Sequence, residues 1–373
     1  MSERKWTLLA SAVSAFAMFA PASAIAQDAA VSADADAAFV DEESDELVVT
    51  ARRREENVQD VPLTVNVAGA EELRERRIVS TEDIQTLAPA LRIAPQVSSI
   101  TPNFVIRGQG RPLFSGALPS VVTYFSDVPL PQDGSIAPLY DLASVQVLKG
   151  PQGTLFGRNT TGGAILLAPQ RPELESFSGY IDVMAGNYDA REFGGAVNIP
   201  LGQQLAARVA WESIRRDGMV ENLNGGPDLD NRNSESIRAS LLWEPTSNFE
   251  NLLVYDHTDI DQTGGGIVLS GVFTDALGNV TGTIANATNA PYFLGGSLNN
   301  DVRLILAQQQ ADGPRTARPG IDPYMRAEIW GISNTSVWDV GGVTLKNIFG
   351  YRNVELFDQI GRASCRERVF SSV

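Results

Sequence analysis

Five glycines, one lysine and one arginine fall within the nineteen residues VLKGPQGTLFGRNTTGGAI, Val147 to Ile165. Such a composition can cradle phosphate, because glycine-rich turns expose backbone N–H groups and a lysine adds charge. A phosphate loop, however, needs G-x-x-x-x-G-K-[ST] between a strand and a helix. Here Gly153 and Gly157 are too close, Arg158-Asn159 stands where Lys-Ser/Thr is required, and Lys149 precedes the glycines. Arg107-Gly108-Gln109-Gly110 likewise lacks the third glycine of a dinucleotide fingerprint. Turn chemistry fits better. Gly150-Pro151-Gln152-Gly153 places Pro second and Gly fourth in a type I turn after SVQVLK. Gly157 follows within the same turn system, and Gly162-Gly163 permits a sharp bend before AILLA. Other chemistry has little to build on. With one histidine, His257, and one cysteine, Cys365, the chain alone assembles no His/Cys metal site, and any triad would depend on His257. The formal net charge of −16 argues against nucleic acid as a partner.

The elements that must position this turn system read in order along the 373 residues. Arg4 and Lys5 precede an uncharged run, Trp6 to Gln27, with the apolar core LLASAVSAFAMFA and the small-residue site Ala24-Ile25-Ala26. This is the pattern of a secretory signal peptide, residues 1–26. Residues 27–45 form an acidic, alanine-rich tail whose composition predicts disorder. Glu46 to Ala51 (ELVVTA) is a short β-prone run between charge blocks, either a first strand or a peptide held out for strand addition to a partner's sheet. Residues 52–172 read as a mixed α+β domain of short strands (LTVNV, FVIRG, VVTYF, SVQVL) and two short helices, one opened by the capping pair Ser80/Asp83. From 175 to 358 the texture changes to period-two alternation, with seven segments at about 176–186, 190–200, 204–214, 234–244, 248–258, 326–338 and 343–355. In 204–214, Leu205, Ala207, Val209 and Trp211 share one face and Arg208 and Glu212 the other. After the first, the connections alternate tight (LGQ, PTSN, DVGG) and long (215–233, 259–325), which predicts part of an antiparallel transmembrane β-barrel.

At these residues the chain resembles a known family. SVQVLKGPQGTLFGRNTTGGAI is similar to the segment closing the plug domain of TonB-dependent outer-membrane receptors, and NFVIRGQG to the family's Ile-Arg-Gly plug motif. ELVVTA resembles the TonB box. The resemblance implies a plug domain followed by a barrel of about 22 strands, of which about seven are present, so the chain reads as truncated. It implies that Glu46, Leu47, Val48, Val49, Thr50 and Ala51 bind TonB, and through it, indirectly, the ExbB–ExbD energy complex. It implies plug–barrel contacts from Arg107, Gly108, Arg158 and Asn159, the two arginines facing glutamates of the wall. It implies active transport of a scarce solute across the outer membrane of a Gram-negative bacterium, with outer-membrane lipid around the barrel, no bond chemistry and no cofactor. A ferric siderophore complex is the favoured solute; cobalamin, haem or oligosaccharide stay open, as does a passive porin or adhesin-like barrel. Departures are the mid-plug Tyr124-Phe125-Ser126-Asp127-Val128, which lacks the family's glycine, and residues 361–373 (GRASCRERVFSSV), which break the alternation and read as a non-native tail.

Overall fold

The computed structural model describes residues 48–49, 56–57, 63–94, 102–111, 118–131, 139–265, 268–274, 280–285, 291–292, 301–319, 322–360 and 363–372. The signal peptide, the acidic tail and Glu46, Leu47, Thr50 and Ala51 lie outside the described residues. Val48–Val49 (β1) pair antiparallel with Glu56–Asn57 (β2), a ladder of two residues.

The first domain is a five-stranded mixed sheet faced by short helices. Val65–Gly69 (β3) runs into the helix Ala70–Glu75 (α1), and a 3₁₀ helix covers Thr81–Leu87. Its cap is the one expected: the Asp83 carboxylate accepts from the Ser80 amide at 2.8 Å and from the Ser80 hydroxyl at 2.7 Å. Leu91–Ala94 (β4) pairs with Asn103–Ile106 (β5). Val121–Phe125 (β6), Val128–Pro129 (β7), Leu142–Lys149 (β8), the one-turn helix Gly153–Phe156 (α2) and Gly163–Pro169 (β9) complete it. The sheet order is β3-β8-β9-β6-β7, so β3 is an edge strand. Leu73, Ile84 and Leu87 from the helices, with Ile78 from the link between them, close over Val145, Val147, Ile165 and Leu167 to form the core.

The glycine-rich stretch is the connection from β8 to β9. Gly150 has φ +102° and donates to the Gly162 carbonyl at 2.9 Å, and Gln152 donates to Thr160 at 2.8 Å. The ladder thus continues past the strand ends, with α2 at its tip. Gly163 is required where it stands: a Cβ there would lie 2.2 Å from the Leu148 carbonyl oxygen.

The rest of the chain is an antiparallel wall. Ser178–Gly186 (β10), Ala190–Pro200 (β11) and Leu205–Arg216 (β12) are followed by Glu221–Asn222 (β13), which stands in a loop. Arg232–Thr246 (β14) and Phe249–Thr263 (β15) continue the wall. The second long connection carries Leu269–Thr274 (β16), Val280–Ala285 (β17), Pro291–Tyr292 (β18), the helix Asp301–Asp312 (α3) and Thr316–Ala317 (β19). Tyr324–Val340 (β20), Val343–Ile360 (β21) and Ala363–Ser372 (β22) end it. The wall order is β10-β11-β12-β14-β15-β20-β21-β22, eight strands rather than the seven counted. The eighth falls in the stretch read as a non-native tail: β21 offers a long unpaired edge, and backbone pairing along such an edge needs no side-chain pattern. The 259–325 connection, read only as a loop, holds its own small sheet and helix. Its β19 pairs in parallel with β13, and buried Asn222 donates to Asp322 at 2.8 Å, so the two long connections are joined. The shift in register between Trp243 and Thr246 brackets Pro245, which has no N–H for the ladder.

The two faces of the wall are the reverse of a soluble sheet. Ile181, Val183, Phe193, Ile237, Trp243, Leu345 and Phe349 are exposed, whereas Arg208, Arg238, Asp256 and Arg352 are buried on the covered face. An apolar outer band over a polar lumen suits strands surrounded by lipid. Arginine in place of Val209, which shares a face with Trp211 and lies opposite in sense to Arg208, is therefore expected to block assembly, since an arginine on the lipid face costs roughly 2–4 kcal/mol at mid-membrane. Heat-modifiable migration of outer-membrane extracts checks this: Val209→Arg should lose the folded band and Arg208→Ala should keep it.

Candidate functional site

Strand register builds the site. On the covered face, Tyr180, Ala196, Ala210, Arg238, Asp256, Gly331 and Arg352 are successive cross-strand partners from β10 to β21. The neighbouring row runs Ser178, Asn198, Arg208, Ser240, Val254, Ser333 and Gly350. Tyr140 and Asp141, which enter β8 of the plug, lie against both rows. Ala196 and Ala210 are small enough to leave room for the Tyr140 ring.

Two wall arginines grip this corner. Arg208 donates to both carboxylate oxygens of Asp141, at 2.8 and 2.5 Å, with the two side chains 7 % and 4 % exposed. The bidentate geometry offsets the desolvation of both charges. The Tyr180 hydroxyl adds a third donor to Asp141 at 3.2 Å. Arg238, 1 % exposed, donates to the backbone carbonyls of Tyr140 and Asp141 at 2.9 and 3.0 Å. Its guanidinium also lies 4.5 Å from the Tyr140 ring centre and 4.8 Å from that of Phe125, within cation–π range. Burial pushes the pKa of the Tyr140 hydroxyl up, so the group stays neutral among these charges.

Arg352 completes the cluster from β21, three strands beyond Arg238. It reaches across β20 to Asp256 at 2.7 Å, and its guanidinium lies 5.6 Å from the Phe125 ring centre. Gly331 makes the crossing possible, since a Cβ there would lie 2.9 Å from a terminal guanidinium nitrogen of Arg352. Gly331→Val is expected to push Arg352 off Asp256, at about 1–3 kcal/mol for overpacking alone. A lowered midpoint in the heat-modification assay, larger for valine than for alanine, would show it. Further along the wall, Lys346 pairs with Asp127 at 2.7 Å, and Val128 seats where Gly350 has no side chain.

The residues singled out in the sequence sit elsewhere. Arg107 and Arg158 are exposed and form no ion pair among the described residues. Arg107, at φ +52°, lays its guanidinium over Gly150, 3.2 Å from where a Cβ would stand. Asn159, at φ +71°, follows Arg158 in the turn after α2, where Thr160 donates its hydroxyl to the Gly157 carbonyl at 2.7 Å. The buried charge pair described between plug and wall thus runs in the opposite sense to the expected plug-arginine to wall-glutamate arrangement, with acid on the plug and arginine on the wall. Arg171 with Glu250, at 2.5 Å and partly exposed, runs in the expected sense. The signal for Arg208 and Arg238 was present in the sequence as arginines on the polar face of two alternating segments; their partner, Asp141, lay in no recognisable motif.

Residues 57–164 match the family model described as the TonB-dependent receptor plug domain. The pesticin receptor of Yersinia pestis is 30% identical over 206 residues, covering 53% of this chain and 30% of the relative. The ferrioxamine receptor of Yersinia enterocolitica is 27% identical over 124 residues, covering 33% of this chain and 16% of the relative. Among solved structures, the ferric yersiniabactin uptake receptor FyuA from Yersinia pestis has a TM-score of 0.66 at 18% identity, covering 83% of this chain and 44% of its own. The alcaligin outer-membrane receptor FauA from Bordetella pertussis has a TM-score of 0.60 at 10% identity, covering 87% and 45%. Residues 57–164 are a plug domain of the TonB-dependent receptor type, and the strands that follow resemble part of the barrel of such a receptor. The chain spans less than half the length of the relatives and solved chains it matches.

Proposed function

We propose that the protein takes up a ferric siderophore complex across the outer membrane, driven by TonB acting on Glu46 to Ala51. The observation that carries this reading is the buried seat of Tyr140–Asp141 on Arg208 and Arg238: a domain held inside a wall by charge pairs blocks the lumen at rest, and a passive pore needs no such domain. The names of a relative, a ferrioxamine receptor, and of a solved structure, a ferric yersiniabactin uptake receptor, favour a ferric chelate over cobalamin, haem or oligosaccharide. On this reading no bond is made or broken; the work is conformational.

The test is radio-iron uptake by iron-starved cells producing the full-length receptor, with ferric yersiniabactin, ferrioxamine B and ferric alcaligin as probes. Uptake of at least one complex that stops when TonB is deleted, with binding at the cell surface retained, is the expected result. Uptake that continues without TonB would make the protein a passive pore.

A further inference from the structure

Resting on the outer-membrane placement of the wall, we infer that its lipid face carries a docking surface for a second copy of this chain, centred on Asn251, Asn334, Ser336 and Asn347. Trp338 and Trp330 lie on that face eight residues apart on β20. At ~3.3 Å per residue and a strand tilt near 40°, they stand about 20 Å apart in depth, as the two aromatic girdles around an apolar band do. The outward residues between them are Ser336, Asn334 and Ile332, so two of the three are polar where lipid offers no hydrogen-bond partner. Across the ladder, Ser336 faces Asn251 on β15 and Asn347 on β21, which makes a polar row over three strands. The same row continues on β14 and β12 as Trp243 and Leu205, so the polarity is local.

Hydrogen bonds hold the patch in one arrangement. The Asn251 and Asn334 amides exchange bonds at 3.1 and 3.0 Å, and Asn251 also donates to the Ser336 hydroxyl at 2.8 Å. The exposed amide of Asn347 has no partner among the described residues. Chemistry selects the occupant. An amide both donates and accepts, so the patch is complementary to itself, as an isologous two-fold interface requires. Lipid esters and phosphates only accept, and the nearby cation, Lys346, is turned inward to Asp127 and cannot hold a phosphate on this face. Polar side chains bond across partners in a membrane without water to compete. Trp338 and Phe349, both exposed beside the patch, add apolar contact around it.

The test is cross-linking of the full-length receptor in outer membranes, in a Cys365→Ser background. Asn347→Cys on the patch and Ile199→Cys, exposed on the same face at β11, are each treated with a short bis-maleimide. The inference expects a covalent dimer from Asn347→Cys and far less from Ile199→Cys. Adding Asn251→Leu, Asn334→Leu and Ser336→Ala together removes the whole cluster, so no amide is left stranded. That triple replacement should cut the Asn347→Cys dimer roughly tenfold or more, since about 1.4 kcal/mol of lost pairing is a factor of ten, while the heat-modifiable folded band persists. No dimer from Asn347→Cys, equal dimer at both cysteines, or a dimer that survives the triple replacement would overturn the inference. Loss of the folded band would make the cluster a requirement of the fold and overturn it equally. So would a monomer carrying tightly held phospholipid, seen by mass spectrometry and released by the triple replacement, because the patch would then serve lipid. A receptor missing from the outer-membrane fraction before any substitution would overturn the placement of the wall, and the docking surface with it.

Discussion

Proline at Val48 or Val49 is expected to abolish uptake while leaving surface binding of the ferric complex intact, and alanine at the same positions to cost far less. Strand addition binds chiefly through main-chain hydrogen bonds, with side chains secondary. Proline removes a donor and fixes φ, so it strikes the ladder directly. Val48 and Val49 are already extended, in a two-residue antiparallel ladder with Glu56 and Asn57. Two-stranded ribbons this short are marginal in water, so the segment is held in strand conformation with one edge open and can leave β2 at little cost. Radio-iron uptake by cells carrying Val48→Pro, Val49→Pro and the matching alanine variants measures the difference. Normal uptake by the proline variants would exclude strand addition at this segment; loss of binding together with uptake would make it part of the folded plug.

Arg238→Ala is expected to loosen the plug by about 3–5 kcal/mol, the usual range when one member of a buried charged network is removed. Two backbone carbonyls, of Tyr140 and Asp141, lose their donor, and two aromatic rings lose a cation. Asp256, the cross-strand neighbour of Arg238 on β15, keeps its ion pair with Arg352 at 2.7 Å. The vacated volume lies between plug and wall, where the ladders of β14 and β15 cannot close it. Hydrogen exchange of the β8 amides in the full-length receptor should accelerate by roughly a hundredfold or more, since each 1.4 kcal/mol is a factor of ten. Amides of the wall strands should change little. Lysine at 238 should rescue only in part, because it keeps the charge and loses the planar fork that serves two carbonyls and two rings.

Much of this architecture was legible because two different periodicities follow one another. Alternation in QLAARVAWESI and SIRASLLWE fixed strands, faces and inward arginines, and each wall segment read from the sequence lies within a strand or ends a few residues from one. Glycines were legible as turns, but the pairing of Gly150 with Gly162, twelve positions on, was not, because no local signal marks it. The 259–325 connection hid a helix and a small sheet, since α3 has no strong apolar stripe to announce it, and β13 and β19 pair only with each other among the described residues. Least legible was the seat itself. Asp141 is an ordinary acid before a strand, and its role arises from register: Arg208 and Arg238 lie in adjacent inward rows, and Gly331 makes space for Arg352 three strands beyond Arg238. Motif recognition drew attention to Arg107 and Arg158, which are exposed with eight wall strands present.

The most direct test of the charged seat is a double-mutant cycle on Asp141 and Arg208, read by hydrogen exchange of the β8 amides in the full-length receptor. Each single alanine variant strands a buried charge and should accelerate exchange strongly, whereas removing both charges should be scarcely worse than removing one, giving a coupling of up to about 3 kcal/mol. Effects that simply add would contradict the seat: Asp141 and Arg208 would then stabilise the receptor independently, and the plug would be held to its wall by something other than this pair.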